Sequence, residues 1–369
     1  MRIPFVDLTA QYHAHKGEFD AAFACVIKET AFIAGEPAKE FERKFSKAYG
    51  TRNCISCGNG TDALYIVLRM LGIGAGDEVI TTAASWISTS ETISQTGALP
   101  VFVDVDDYYL MDIEHFERAI TPRTRAVIPV HLYGQAAPMD RILQICNERG
   151  IQLIEDCAQA HFAQWNGRRV GTFGAAGTFS FYPGKNLGAW GDAGAIITDD
   201  DALANKCRMF ANHGALIKHE HQIEGINSRM DGLQASLLSA KLNHIDSWTE
   251  ERRRVAALYD RLLSGIGDLA IPKIRSEATH VYHLYVIATA HRDALKAFLA
   301  KRGVETAVHY PTALPLLPAY RHLGVSATSI PRATTNQSRI LSLPIYAEMT
   351  NEMIEYVSQS IAVFFAHLP

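Results

Sequence analysis

Short β-rich runs alternate with amphipathic helical runs from about residue 50 onward, and no other feature of the sequence constrains the fold as strongly. Gly72, Gly97 and Gly150 follow three of the helical runs, at the position where glycine commonly ends a helix. This alternation is typical of a mostly parallel sheet covered by helices on both faces. We therefore predict an α/β fold with seven strands: NCISC, DEVITTA, LPVFVDV, TRAVIPVHL, IQLIEDCA, GTFSFYP and GAIITDD.

The length of the chain and a change of pattern near residue 250 indicate two domains. The chain has 369 residues, and single cores stop growing at roughly 250 to 300 residues. We predict a large domain over residues 1–249, which includes the N-terminal segment, and a smaller C-terminal α+β domain over residues 250–369. The smaller domain reads as strand, helix, strand and helix in THVYHLYVIA, RDALKAFLAKRG, VETAVHYP and TNEMIEYVSQSIAVFFA.

Charge and hydropathy exclude several classes of protein. The formal net charge is −4 with both signs interspersed, so no broad positive field is available for a nucleic-acid backbone. No window reaches the roughly 18 apolar residues of a membrane span. Pro4 and Asp7 interrupt the N-terminal stretch where a signal peptide needs apolar residues. We therefore expect a cytoplasmic protein that binds neither nucleic acid nor membrane.

The six cysteines are scattered, and only Cys54 and Cys57 form a C-x-x-C pattern. A zinc site needs a second pair of ligands at comparable spacing, and the other cysteines do not supply one. We expect no metal and interpret the pair as two small residues in a strand that leads into a turn.

The turn CGNGTDAL opens a helix immediately after the first predicted strand. A helix N-terminus offers free N–H groups and a positive dipole end, which suit a phosphate group. Gly60 lets the backbone approach closely and Thr61 adds a hydroxyl. Because the turn matches neither the Walker nor the dinucleotide fingerprint, a simple helix cap is the alternative interpretation.

Two further residues complete a possible cofactor site. Asp156 ends a predicted central strand, where burial penalises its charge unless a cation faces it, although an N-cap role is the alternative. Lys185, in SFYPGKNLGAWGDAGA, stands alone among glycines and aromatic residues, which favours an uncharged, nucleophilic amine. A phosphate turn, a buried carboxylate and an isolated lysine in this order suit pyridoxal 5′-phosphate.

The stretches SFYPGKNLGAWGDAGA, IEDCAQAH, GNGTDAL, GINSRMDGLQASLL and VHYP resemble motifs of the DegT/DnrJ/EryC1/StrS family of nucleotide-sugar aminotransferases. The similarity runs from Phe5 to the last helix. The resemblance implies a fold-type I, aspartate aminotransferase-like enzyme that uses pyridoxal phosphate. It implies that Lys185 is the Schiff-base lysine and that Asp156 keeps the pyridine nitrogen protonated.

The resemblance assigns roles to several further residues. Gln159 lies beside the phenolic oxygen of the cofactor, Ser180 joins Gly60 and Thr61 at its phosphate, and Trp86 covers its ring. For Trp86, core packing is the alternative. The motif GINSRMD implies a homodimer with shared active sites, in which Asn227 reaches the phosphate of the partner's cofactor. The expected substrate contacts are Arg229, with a surface ion pair as its alternative, and His309 and Tyr310, with an ordinary loop role for the histidine.

The resemblance also implies a reaction, the transfer of an amino group from L-glutamate to a nucleotide-linked keto sugar. The wording of NSRMD and AVHYP favours a 3-keto substrate, a dTDP-3-keto-6-deoxyhexose that gives dTDP-3-amino-3,6-dideoxyhexose. The alternatives are a UDP-linked 3-keto-hexosaminuronic acid, a 4-keto sugar, or a non-catalytic regulatory or binding protein. Dehydratases of this family carry histidine in place of Lys185. The expected pathway is deoxyaminosugar biosynthesis, as for a lipopolysaccharide O-antigen.

One position departs from the family pattern. Many relatives carry glycine after AQAH, and this chain has Phe162. We expect its ring to narrow the site beside the cofactor. His161 is expected either to position the substrate or to be a satisfied core residue.

Overall fold

The computed structural model describes residues 1–368. The strands are β1 Asn53–Cys57, β2 Glu78–Thr82, β3 Leu99–Val103, β4 Thr124–Ile128, β5 Gln152–Asp156, β6 Gln164–Trp165, β7 Arg168–Arg169, β8 Ala176–Ser180, β9 Gly194–Thr198, β10 Tyr285–Ala288 and β11 Ile340–Leu343. Seven of them form one large sheet, as predicted, and their order is β1-β9-β8-β5-β4-β2-β3. Neighbours from β8 to β3 run parallel, whereas β9 is antiparallel to both β1 and β8.

Helices pack on both faces of this sheet, because alternate residues of each strand point to opposite faces. Ile80 and Val127 belong to the core on one face, and Val79 and Ala126 to the core on the other. The helices are α1 Leu8–Ala14, α2 Lys16–Glu29, α3 Gly35–Tyr49, α4 Gly60–Met70, α5 Ser88–Gln95, α6 Ile113–Ala119, α7 Met139–Arg149, α8 Asp201–Ala211, α9 Gly232–Lys241, α10 Ile245–Leu263, α11 Arg292–Lys301, α12 Pro331–Asn336 and α13 Asn351–Ala366.

The cysteine pair shows the same alternation. Cys54 packs in the core on one face of the sheet and Cys57 in the core on the other, and both are buried in β1. Residues three apart in a strand face opposite ways, so the two thiols cannot share a metal. Burial raises the pKa of both thiols. Their interpretation as small residues of a strand is confirmed.

The C-terminal part contains a sheet of two antiparallel strands, β10 and β11. The prediction of a strand in VETAVHYP is wrong, because there Val304 and Ala307 form only isolated bridges, to Ile3 and Ser342. The second strand is instead Ile340–Leu343, which the sequence reading missed. After Ala307 the chain leads to His309 and Tyr310, which line a cavity at the large sheet.

Helix α10 connects the core of the large sheet with the C-terminal core, and it contains the predicted domain boundary at residue 250. Trp248 packs in the core of the large sheet and Val255 in the C-terminal core. Between them, the Arg252 Nη1 donates hydrogen bonds to the carbonyls of Tyr282 at 3.0 Å and Ile345 at 2.9 Å. The division at residue 250 stays a prediction. Within residues 1–368, the length and apolarity needed for a membrane-crossing helix are not found.

Candidate active site

A cavity of about 640 Å³ opens at the carboxyl ends of β5 and β8. Ligands of open α/β sheets commonly bind at this edge. The cavity brings together nine of the eleven residues predicted from the sequence. They are Gly60, Thr61, Trp86, Asp156, Gln159, Ser180, Lys185, His309 and Tyr310.

The N-terminus of α4 forms one wall of the cavity and fits a phosphate group. The Asn59 side chain caps the helix by accepting a hydrogen bond from the Asp62 N–H at 2.8 Å. A Cβ on Gly60 would lie 2.6 Å from the Ser180 Cβ, so only glycine lets the helix start this close to β8. The Thr61 hydroxyl lies 2.7 Å from that of Ser88. Free backbone N–H groups, a helix dipole and hydroxyls therefore meet at one point, as phosphate binding requires.

Lys185 lies in the loop between β8 and β9. Its backbone N–H donates to the Tyr182 carbonyl at 2.8 Å, which fixes the turn. Within residues 1–368 its amine has no ion-pair partner, although the side chain reaches the cavity. Burial lowers the pKa of Lys185 to about 8, and the charge of Asp156 opposes that shift. The amine therefore loses its proton far more easily than that of an ordinary lysine, whose pKa is near 10.5.

Asp156 is the last residue of β5 and is buried. Its Oδ2 accepts a hydrogen bond from the Thr89 hydroxyl at 2.8 Å, and its Oδ1 accepts one from the Ala158 N–H at 3.1 Å. The N-cap alternative is wrong, because no helix follows this strand and the next element is β6. The carboxylate thus lies at the cavity edge of a central strand, as predicted.

Gln159 is held at both ends of its side chain. Its Oε1 accepts a hydrogen bond from the Tyr133 N–H at 2.7 Å, and its Nε2 donates to the Tyr310 hydroxyl at 3.0 Å. Trp86 is 57% exposed, and its ring lies 5.6 Å from that of Tyr310. The core-packing alternative for Trp86 is therefore wrong. An exposed indole on the cavity wall is available to stack on a flat ligand.

Two histidines line the cavity near Lys185. The His309 Nδ1 lies 2.8 Å from the Ser342 hydroxyl, and burial together with the Lys185 charge lowers the pKa of His309 to about 4. His283 was missed by the sequence reading. Burial and the Lys185 charge hold its pKa well below the usual range. Both imidazoles are therefore neutral at neutral pH and act as hydrogen-bonding groups.

Thr89, Tyr182 and Arg252 also line the cavity and were not predicted. Arg252 lies in the charged stretch EERRR of α10, yet its side chain is buried. Thr89 lies in the first turn of α5. No local motif distinguishes these residues, since their roles come from contacts made across the fold.

Asn227 and Arg229 do not line the cavity of their own chain. Asn227 is exposed and forms an isolated bridge with Asn212. The Arg229 Nη1 donates to Asn212 Oδ1 at 3.3 Å. In the part of the chain that the structure describes, Arg229 forms no ion pair within 4.0 Å, so the ion-pair alternative has no support in a single chain.

The expectation for Phe162 is wrong. Its backbone has a φ of +64° and its N–H donates to the Tyr49 hydroxyl at 2.7 Å. The ring packs 4.6 Å from the Tyr49 ring and lies outside the cavity lining. His161 is also outside it, with both ring nitrogens buried and lacking a hydrogen-bond partner within residues 1–368. Burial and the Lys185 charge lower the pKa of His161 to about 3.

Comparison with known proteins agrees with this geometry. The sequence profile of the DegT/DnrJ/EryC1/StrS aminotransferase family matches residues 13–362. The chain belongs to this family. The predicted fold class, aminotransferase activity and pyridoxal phosphate cofactor are thereby confirmed.

Individual relatives cover nearly the whole chain. A Geobacillus stearothermophilus protein named pleiotropic regulatory protein is 44% identical over 370 residues, with 100% of both chains covered. The dTDP-3-amino-3,4,6-trideoxy-alpha-D-glucose transaminase of Streptomyces venezuelae is 42% identical, over 93% of this chain and 91% of that one. The structure of S. venezuelae DesV in complex with a ketimine intermediate matches with a TM-score of 0.97, 39% identity and full coverage of both chains. The chain is therefore similar, over nearly its whole length, to a named transaminase of a nucleotide-linked amino sugar.

Proposed function

We propose that this enzyme transfers an amino group from L-glutamate to C-3 of a dTDP-linked 3-keto-6-deoxyhexose, giving a dTDP-3-amino-3,6-dideoxyhexose. One observation carries the proposal: a lysine with a pKa of about 8, a buried carboxylate and an open helix N-terminus share one cavity. The S. venezuelae transaminase supports the dTDP-linked acceptor. A UDP-linked 3-keto-hexosaminuronic acid is the nearest rival, ahead of a 4-keto sugar.

The residues of the cavity fit pyridoxal phosphate. When bound, the cofactor supplies an electron-withdrawing ring that stabilises negative charge at the α-carbon of an amino acid. The α4 N-terminus with Thr61 and Ser180 would hold its phosphate, and Trp86 would cover its ring. Asp156 would accept a hydrogen bond from its ring nitrogen, and Gln159 would face its phenolic oxygen.

Lys185 is the proton carrier of the proposed reaction. At pH 7 a pKa of about 8 leaves about one amine in ten uncharged, against about one in three thousand for an ordinary lysine. The uncharged Nζ accepts the proton from the α-carbon of glutamate as a general base. In the second half-reaction, with the keto sugar, the same amine donates a proton to C-3 of the sugar. A pKa this close to the working pH suits both roles.

The remaining cavity residues bind and orient the substrates. Neutral His309 and the Tyr310 hydroxyl offer hydrogen bonds to sugar hydroxyls. Tyr310 is itself held by Gln159, so its hydroxyl has a fixed direction. Arg229 lies outside the cavity of its own chain, so it would meet an anionic group of the nucleotide sugar bound by the partner. The product of this reaction would feed deoxyaminosugar-containing polysaccharides such as a lipopolysaccharide O-antigen.

The proposed enzyme is a homodimer in which Asn227 completes the partner's phosphate site. Asn227 is exposed and lies outside its own cavity, which leaves it available to a second copy. Exposed apolar side chains lie in segments near it in the chain, and exposed Phe32 and Ile33 pair through their backbone with residues 231–232. Exposed apolar side chains that form a patch are typical of protein interfaces, which supports the proposed dimer. The exposed residues are Ile27, Phe32, Ile33, Leu216, Ile217 and Ile223.

The experiment separates the two half-reactions. The protein loaded with pyridoxal phosphate is mixed with L-glutamate, and both 2-oxoglutarate and the change in visible absorbance are measured. A panel of dTDP- and UDP-linked 3-keto and 4-keto sugars is then added, and products are identified by mass and NMR. Lys185→Ala is the matched control and should show no turnover.

Three results would contradict the proposal. Turnover by Lys185→Ala at the wild-type rate would remove the lysine from the mechanism. Borohydride treatment of the loaded protein, followed by peptide mapping, should place the cofactor on Lys185. Attachment to another residue would also remove this lysine from the mechanism. Conversion of glutamate but of no sugar in the panel would refute the acceptor. A purely regulatory role gives neither conversion nor attachment.

A further inference from the structure

Two hydroxyl side chains lie beside Asp156 on the cavity wall and have no part in the chemistry above. Thr89 is in the first turn of α5, Ser85 precedes that helix, and both are buried. The Thr89 Oγ1 lies 2.8 Å from Asp156 Oδ2 and 2.9 Å from Ser85 Oγ. The three groups therefore form a continuous chain that ends at the carboxylate.

The number of hydrogens that each group can donate sets the direction of these hydrogen bonds. An ionised carboxylate only accepts hydrogen bonds, and a threonine hydroxyl has a single hydrogen to donate. Thr89 uses that hydrogen on Asp156, so Ser85 must donate to the Thr89 oxygen. Both hydroxyl dipoles then point at the carboxylate, and each bond strengthens the next.

The carboxylate is fixed at both of its oxygens. The Ala158 N–H holds Oδ1 from the loop after β5, and Thr89 holds Oδ2 from the opposite side. These two bonds set the plane of the group and leave its other lone pairs free toward the cavity. Hydrogen bonds to an ionised acceptor are roughly twice as strong as neutral ones.

We propose that Thr89, supported by Ser85, is a positioning residue that orients the Asp156 carboxylate and stabilises its negative charge toward the ring nitrogen of the cofactor. The inference rests on the proposed role of Asp156. Thr89 acts through Asp156, to which its hydroxyl donates. A purely structural hydroxyl at the start of α5 would contribute to folding alone.

The test compares three variants of the full-length protein. Thr89→Val keeps the shape and removes the hydroxyl, whereas Thr89→Ser keeps the hydroxyl. Thr92→Val is the matched control, because Thr92 is buried in the same helix and, among residues 1–368, its hydroxyl bonds only the Ser88 carbonyl, at 2.8 Å. The measurements are the Kd of pyridoxal phosphate for the apoprotein, the rate of the glutamate half-reaction across pH, and the melting temperature.

Thr89→Val is expected to weaken cofactor binding and to slow the glutamate half-reaction about ten- to a hundredfold, the range for a hydrogen bond to a charged group. Its pH–rate profile should also change, because the ring nitrogen loses part of its charge partner. Thr89→Ser should restore most of the loss. Thr92→Val should match the wild type in Kd and rate.

The inference is overturned if Thr89→Val behaves like Thr92→Val, or if Thr89→Ser is as impaired as Thr89→Val. If Thr89→Val does not fold, the Kd of pyridoxal phosphate and the melting temperature of Ser85→Ala test the inference instead. A weaker affinity at an unchanged melting temperature supports the inference, and an unchanged affinity refutes it. The affinity needs neither donor nor sugar, so it stays informative if the wild type fails to convert glutamate, a result that would refute only the proposed function.

Discussion

Replacing Lys185 should stabilise the cofactor-free protein at neutral pH. Burial lowers the pKa of Lys185 to about 8, whereas the unfolded chain has the ordinary value of 10.5. Below pH 8 both states hold the proton, and the folded state bears the full cost of a poorly solvated ammonium group. Lys185→Met removes that group with little change in side-chain length.

The magnitude follows from the difference between the two pKa values. Each unit corresponds to about 1.4 kcal/mol, so the cost is at most about 3.5 kcal/mol at pH 7. As pH rises from about 8 to 10.5 the folded protein loses its proton first, and the cost disappears. The free energy of unfolding of the wild type should therefore rise across this window, and the advantage of Lys185→Met should shrink.

Urea unfolding of the two apoproteins at pH 7 and pH 10 measures this difference. Lys206→Met, on an exposed position of α8, is the control and should show no such pH-dependent gap. A wild-type apoprotein as stable as Lys185→Met at pH 7 would contradict the reasoning, and so would a gap that widens at pH 10. Such a result would mean that the amine is well solvated in the folded chain.

Three further predictions concern the cofactor site. Gly60→Ala places a methyl group against Ser180, so it should cost about 1 to 3 kcal/mol in a urea titration and weaken pyridoxal phosphate binding; an unchanged Kd would argue against the phosphate cradle. Asp156→Asn keeps the shape but removes the charge, so turnover should fall by about a hundredfold or more while the melting temperature changes little. Asn227→Ala should release cofactor faster, and mixing it with Lys185→Ala subunits should restore activity in hybrid dimers; no recovery on mixing would contradict a shared site.

The cavity could be predicted from sequence because its key residues follow strands. Asp156 and Ser180 end neighbouring strands, and the carboxyl ends of parallel strands meet at one edge. Thr89 and His283 could not be predicted from sequence, because their functional contacts join residues far apart in the chain. Phe162 shows another limit, since its positive φ turns the ring toward Tyr49 and no motif encodes that direction.

The second strand of the small sheet was missed for a related reason. VETAVHYP has a β-rich composition, but its C-terminal half is drawn to the cavity, where His309 and Tyr310 lie. Ile340–Leu343 is short, and only its pairing with β10 makes it a strand. Local composition therefore predicted the wrong segment as the partner of β10, because tertiary contacts determine which segment pairs with it.

Helix α10 has a mechanical consequence for catalysis in alternating steps. Its first turns are embedded in one core, its later turns in the other, and Arg252 ties its middle to two backbone carbonyls. A helix anchored in this way resists a hinge-like separation of the two cores that it joins. We therefore expect the proposed substrates, an amino acid and a much larger nucleotide sugar, to use one entrance of nearly constant width.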